Sequence, residues 1–304
     1  VSAQVAIITR TRNRPVLLER ALRSAAAQTF ADWRQYVVND AGDEAAVDAV
    51  VHATREASKG RVEVLHLPAR VGMEGASNAA LERLDARWVV MLDDDDTWAP
   101  DFLATMVAAF ERSSSPRVRA VVCRTTVVEE RLEGRDAVEV RQVPFNDALE
   151  AVSLELLCRA NQFTNNAFLF ERSALDVVGP FDRGLPVYGD LDFNLRFLAA
   201  HDVDVVPRAL ARYHRRVDAR GEQANSFQQD PGVAVRARAR LTNLWLRGEG
   251  GRSPHVGTLL ALGPSLEAEA ALRERIDKYF NAFHRVRRLP LLRSLEGAIG
   301  LAKR

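Results

Sequence analysis

Apolar residues fall along this chain in two alternating rhythms. Val5, Ala6, Ile7 and Ile8 form a short continuous run, the pattern of a strand covered on both faces. After the polar stretch 9–14, Pro15 opens a segment in which Leu17, Leu18, Ala21, Leu22 and Ala25 recur at helical spacing. Proline suits the first helical turn, where its missing N–H forfeits no bond. Strand-like runs return at 36–38, 62–67 and 88–92. Between them Val47, Val50 and Val51 mark a helix over 44–58, and a loop at 72–75 leads into a helix over 78–84. Pro100 begins another helix, with Leu103, Met106, Val107 and Phe110 on its inner face. This alternation predicts an α/β fold, a mostly parallel sheet with helices on both faces. Right-handed crossovers bring the carboxyl ends of the strands to one edge, where ligands bind in such sheets. The polar segments 9–14, 39–40 and 93–96 all fall at those ends.

After a serine-rich linker at 113–116 the rhythm is mixed. Residues 119–128 and 166–170 read as strands, and 190–200 as a helix with Leu191, Leu195 and Leu198 inward. Strand patterns stop near residue 216. Helices follow at 233–246 and 266–288, the second carrying Leu272, Ile276, Tyr279, Phe283 and Val286. The chain therefore divides into an α/β domain, 1–215, and a helical C-terminal region, 216–304.

Composition narrows the setting. A chain of 304 residues with 47% hydrophobic and 27% charged residues has the balance of a soluble globular protein. The net charge of +1 argues against a nucleic-acid partner. Cys123 and Cys158 lack CxxC spacing, so neither a disulfide framework nor a structural zinc cluster is expected. No apolar run approaches about 18 residues and no leader is read, which together imply a reduced, cytoplasmic location. Lys59, Lys278 and Lys303 are the only lysines. Arginine richness of this kind reflects a GC-rich bacterial genome, so arginine number does not mark a phosphate site.

The unusual feature is Asp93, Asp94, Asp95 and Asp96 in sequence at a strand end. Unit charges about 4 Å apart repel by about 1 kcal/mol in water and several-fold more near a protein interior. A cap on the helix from Pro100 by Asp96 or Thr97 accounts for one or two of these acids. Hard oxygens holding Mg²⁺ or Mn²⁺, which shares its shell with substrate phosphates, account for more.

Further segments stand in a fixed order around this string. They are 7–15 with Pro15, Gln28-Thr29-Phe30, Val37-Val38-Asn39-Asp40, Leu92 to Trp98 with Pro100-Asp101, and Val178 to Asp182 followed by Gly189 to Arg196. In this order they resemble the family 2 glycosyltransferases, nucleotide-sugar-dependent enzymes of the GT-A fold. The resemblance covers about residues 4–215, roughly two thirds of the chain. Two positions depart from the family pattern. Ser77 precedes Asn78 where the family often has Arg, and Gly189 precedes Asp190 where it commonly has Glu.

The resemblance implies an inverting transfer of a sugar from a UDP- or dTDP-linked donor to a hydroxyl of a glycan or glycolipid, in bacterial surface polysaccharide or glycoconjugate synthesis. Asp40 would accept the imide N–H of the pyrimidine, or serve as a turn acid before Gly42. Thr11, Arg12, Arg14, Asn78, Asp93 and Asp94 would meet the nucleotide-sugar, although both arginines also suit a solvated helix start. Asp95 would hold the divalent cation, with His214 as a second ligand or a plain surface residue. Asp190 is the expected base at a helix start, Asp192 the alternative. Trp98 either walls the sugar pocket or packs in the core. Rival readings are a non-catalytic carbohydrate- or nucleotide-binding protein on the same fold, and a sugar-phosphate nucleotidyltransferase. The latter usually has a Gly-rich loop after its first strand, whereas 9–15 contains no Gly. Arg285, Arg287, Arg288 and Arg293 form a basic C-terminal segment. It reads as a solvated helix face, or as a surface for peripheral contact with the inner face of the cell membrane.

Overall fold

The computed structural model describes residues 3–133, 136–185, 187–217 and 231–287. Strands and helices alternate first: β1 (Ala3–Thr11), α1 (Pro15–Ala26), β2 (Trp33–Asp40), α2 (Glu44–Ser58), β3 (Val62–Leu67), α3 (Gly72–Leu81) and β4 (Ala86–Met91). Then come β5 (Thr97–Trp98), α4 (Phe102–Arg112), β6 (Val118–Glu133), β7 (Asp136–Pro144), α5 (Leu154–Arg159) and β8 (Phe168–Glu171). The chain continues through α6 (Leu175–Val178), α7 (Gly189–Ala200), β9 (Asp202–Arg216), α8 (Pro231–Leu246) and α9 (Pro254–Arg287).

The described strands form one sheet in the order β3-β2-β1-β4-β8-β6-β9-β5, with β7 paired to β6. From β3 to β4 every pairing is parallel, as the βαβ rhythm predicts. Beyond β4 the sheet turns mixed. Strand β8 runs antiparallel to β4 and β6, β9 parallel to β6, and β5 antiparallel to β9. Register aligns the working ends: Thr11 lies opposite Asn39, Asp40 opposite Leu67, and Ile8 opposite Met91.

Alternation along the strands fills both faces. Ala6, Ile8, Val38, Val89 and Met91 pack with α3 and with Phe193 and Phe197 of α7. Val5, Ile7, Trp88, Val90 and Leu92 pack with α1 and with Phe102, Leu103 and Met106 of α4. Trp98 belongs to this second layer, stacked on Phe102 with ring centroids 4.3 Å apart. It is a core residue whose Nε1 donates to the carbonyl of Asn166 at 2.7 Å. The C-terminal helices attach through Leu157, Cys158, Leu191, Leu195, Leu241, Trp245, Val256 and Leu260.

Two helices begin earlier than their patterns suggest. α3 starts at Gly72 because a carboxylate from another strand caps it: Asp40 accepts the N–H of Val71 at 2.6 Å and of Gly72 at 3.0 Å. α9 starts at Pro254, and its early glycines mark close approach rather than a loop. A Cβ on Gly257 would lie 2.5 Å from the backbone N of Leu246, and one on Gly263 2.4 Å from the carbonyl O of Cys158. Among the described residues no helix is long and apolar enough to cross a membrane. The basic segment beyond Arg287 lies outside the described residues, as do the side chains of Arg285 and Arg287.

Candidate active site

The acid string is a tight turn in which Asp96 N–H donates to the carbonyl of Asp93 at 3.1 Å. Asp94, Asp95 and Asp96 are all buried. Three arginines from distant elements offset their charge. Arg10, near the end of β1, grips Asp93 through Nε at 2.8 Å and through its terminal nitrogen at 2.5 and 2.7 Å. Arg14 donates to Asp94 at 3.0 Å and reaches Asp95 Oδ2 at 3.3 Å. Arg216, the last residue of β9 and fully buried, donates to the same Asp95 Oδ2 at 2.6 Å. Burial opposes the ionised form of Asp95, but Arg14 and Arg216 outweigh it and hold the carboxyl below its ordinary range. Asp96 goes the opposite way, pushed well up by burial and by the neighbouring acids, and its Oδ1 accepts the N–H of His214 at 3.0 Å.

His214 sits in a relay. Its Nδ1 meets Glu130 Oε2 at 2.9 Å and its Nε2 meets the Thr97 hydroxyl at 2.8 Å. Glu130 is in turn held by Arg20 at 2.7 Å. Burial lowers the His214 pKa, so the ring is neutral near pH 7. With Glu130 kept ionised by His214 and Arg20 despite its burial, Nδ1 carries the proton and Nε2 is an acceptor. A carboxylate-oriented imidazole of this kind is the usual support of a metal-ligating histidine. Among the described residues no three His, Cys, Asp or Glu side chains converge as a ready cation site. The donors present fit a cation that takes one carboxylate from the protein and leaves most of its shell to phosphate, which is how Mg²⁺ is commonly held. Asp95 is the ionised carboxylate that would supply that oxygen.

The other sequence-predicted residues separate into those at this edge and those spent elsewhere. Thr11 is buried at the end of β1, and Arg12 is half-buried in the turn after it. Asn13 takes φ 54°, and its side chain accepts the N–H of Asp43 at 3.0 Å. Asp40 lies at the end of β2 and caps α3, using one lone pair on each oxygen. Asn78 is committed to structure: its amide accepts from Phe181 N–H at 3.0 Å and donates to Phe181 O at 2.9 Å. The pair ties α3 to the segment before α7.

α7 carries both candidate bases, and the structure treats them differently. Asp190 Oδ1 accepts the N–H of Leu191 at 2.8 Å. Burial raises its pKa, the Leu191 N–H and Arg10 lower it, and Asp93 raises it again. Asp190 thus belongs to the same electrostatic group as Arg10 and Asp93. Asp192 is fully buried and faces the C-terminal helices instead. It accepts from Arg252 at 2.7 and 2.9 Å, from Trp245 Nε1 at 2.9 Å and from Arg196 at 2.9 Å. Asp192 therefore stands apart from the acid string.

Sequence reasoning passed over Arg10, Glu74, Glu130, Arg20 and Arg216. His214 and Arg216 share one strand face by their two-residue spacing, which was a legible signal. Arg10 also reaches the Ser77 hydroxyl at 3.4 Å, at the position where the family pattern has its arginine. Glu74 lies over Gly189: a Cβ there would come within 2.2 Å of Glu74 Oε1.

Residues 6–148 match the model of Glycosyl transferase family 2. The uncharacterized glycosyltransferase YwdF of Bacillus subtilis is 24% identical over 210 residues, 69% of this chain and 74% of that one. The succinoglycan biosynthesis protein ExoW of Rhizobium meliloti is 33% identical over 100 residues, 32% of this chain and 31% of its own. The putative teichuronic acid biosynthesis glycosyltransferase TuaG of Bacillus subtilis is 31% identical over 99 residues, 33% of this chain and 38% of its own. In three dimensions the chain is similar to S. aureus TarS 1–349 in complex with UDP-GlcNAc. That likeness has a TM-score of 0.63 at 18% identity and covers 85% of this chain and 70% of that one. The mannosyltransferase PcManGT from Pyrobaculum calidifontis, in complex with GDP-Man and Mn2+, has a TM-score of 0.55 at 19% identity and covers 97% and 83%. At these identities the solved structures establish the fold.

Proposed function

We propose that this chain, whose residues 6–148 match the model of Glycosyl transferase family 2, moves a sugar from a UDP- or dTDP-linked donor to a hydroxyl of a glycan or lipid-linked glycan. The observation that carries this reading is the place of Arg10, whose charge is shared by Asp93 on the donor side and Asp190 on the other. A base beside the donor site is what a single displacement with inversion requires. UDP-GlcNAc in the TarS complex supports a nucleotide-sugar donor, and the names of ExoW and TuaG support a polysaccharide setting.

In this reading Asp190 Oδ2, the oxygen not bonded to Leu191, takes the proton from the acceptor hydroxyl. Burial raises the Asp190 pKa and so strengthens it as a base, while Arg10 and its position in the first turn of α7 oppose that rise. Asp40 keeps lone pairs for a pyrimidine imide N–H while it caps α3. Arg14 and Arg216, now on Asp95, are the cations a diphosphate would meet at this edge. Asp95 would hold Mn²⁺ or Mg²⁺, with His214 Nε2 as the second candidate donor. Such a cation, when bound, offsets the charge that grows on the departing nucleoside diphosphate. The test is release of UDP from UDP-GlcNAc, and from a panel of UDP- and dTDP-sugars, with and without Mn²⁺. Release that is strengthened by the cation and lost in Asp190→Asn supports the reading. Donor binding without turnover across plausible acceptors favours a binding protein instead.

A further inference from the structure

Glycine is the first residue of α7, and its missing side chain is used by another element. Glu74, in the first turn of α3, projects across the start of α7 so closely that a Cβ on Gly189 would lie 2.2 Å from its Oε1, 2.4 Å from its Cγ and 2.6 Å from its Cδ. Gly189 does not take a positive φ, so backbone conformation does not call for glycine there. What the position needs is room. The side chain admitted to that room is an acid, and it is only 6% exposed. A residue needed merely to fill that space would be apolar, since burying a carboxyl is costly.

We infer that Glu74 is a positioning residue for Asp190: its carboxyl, delivered by α3 into the space left by Gly189, stands beside the base and sets the charge that the ionised base faces as pH passes through neutrality. The inference rests on Asp190 being the base of the proposed reaction. The charged groups facing Glu74 are Arg10 from β1, Asp93 from the segment after β4 and Asp190 from α7. Burial pushes the Glu74 carboxyl up to about 7, Arg10 opposes this, and Asp190 and Asp93 add to it. Neutral Glu74 leaves Asp93 and Asp190 to share Arg10. Ionised Glu74 adds a third carboxylate to the one arginine, and the already ionised Asp190 loses part of its counter-charge.

The full chain serves for the test. Carboxyl-¹³C-labelled aspartate, with Asp190→Asn to assign the signal, reports the Asp190 titration midpoint whether or not an acceptor is known. The Asp190 signal carries a second inflection near pH 7 as Glu74 ionises, and in Glu74→Gln, which keeps the packing and removes the charge, that inflection is lost. A step near pH 7 in UDP release from UDP-GlcNAc disappears with it. In Glu74→Ala, kcat for that release falls about 10–100-fold while the donor KM stays close to wild type. Gly189→Ala displaces the Glu74 side chain without deleting it and moves the inflection away from pH 7. An Asp190 titration that is the same in wild type, Glu74→Gln and Gly189→Ala overturns the inference. Undiminished UDP release in Asp190→Asn would overturn the assignment of the base, a different failure from the first.

Discussion

Two assemblies of aspartate and arginine flank the first turn of α7 on different sides, and they are built differently. At the strand ends Arg10 holds Asp93 with side chains 12% and 26% exposed, so water and ligands reach the pair. Between α7 and the C-terminal helices, Arg252 holds Asp192 with side chains 7% and 0% exposed. Asp192 uses Oδ1 for Trp245 and Arg252 and Oδ2 for Arg196 and Arg252, which fills all four acceptor sites of a carboxylate. The first assembly can exchange partners and the second cannot. Identical ion-pair chemistry is therefore open to a ligand in one place and closed to it in the other, and access with spare lone pairs decides which.

The comparison is sharpest at the two acids of α7. Asp190→Asn is expected to cut UDP release by about 10²–10⁴-fold, the usual reach of a general base, and to leave thermal stability unchanged. Asp192→Ala should show the reverse ranking. It strands Arg252 and Arg196 and costs about 3–5 kcal/mol of stability, read by chemical denaturation. Equal stability losses in the two variants would break the distinction.

Glu74 gives the next effect. The folded chain keeps its proton up to about 7, whereas the unfolded chain releases it near the ordinary carboxylate range. The folded state therefore binds the proton more tightly. Its contribution is whole below about pH 4 and is lost as pH rises toward 7, a difference on the order of 3 kcal/mol. Glu74→Gln should flatten that decline in a series of denaturation curves. Smallest is Trp245→Phe, which removes one donor from Asp192 Oδ1 while Arg252 keeps the other. A loss of about 1 kcal/mol is expected.

Much of the first half of the fold was legible from periodicity. Helix α2 (Glu44–Ser58) and strand β3 (Val62–Leu67) begin and end where their patterns do. The start of α3 was hidden because its cap, Asp40, comes from another strand and its glycines imitate a loop. β7 and β9 were hidden because long, arginine-rich strands with one wet face give no continuous apolar run. At the site, the acid string and Asp190 were readable as residues, but their partners were not. Arg10 and Glu74 gain their meaning only from a strand end and a glycine that lie far away in sequence. The split between Asp190 and Asp192 was partly available, since residues two apart on a helix face different directions.

The ring around the acid string closes over large sequence distances: 83 residues separate Arg10 from Asp93, and 121 separate Asp95 from Arg216. Such long loops are slow to close during folding. Until β9 docks, the turn after β4 carries its negative charge without Arg216, so this sheet edge is expected among the last pieces to be assembled. Strand β9 delivers both His214 and Arg216, so the donor binding proposed above would wait until nearly the whole sheet exists.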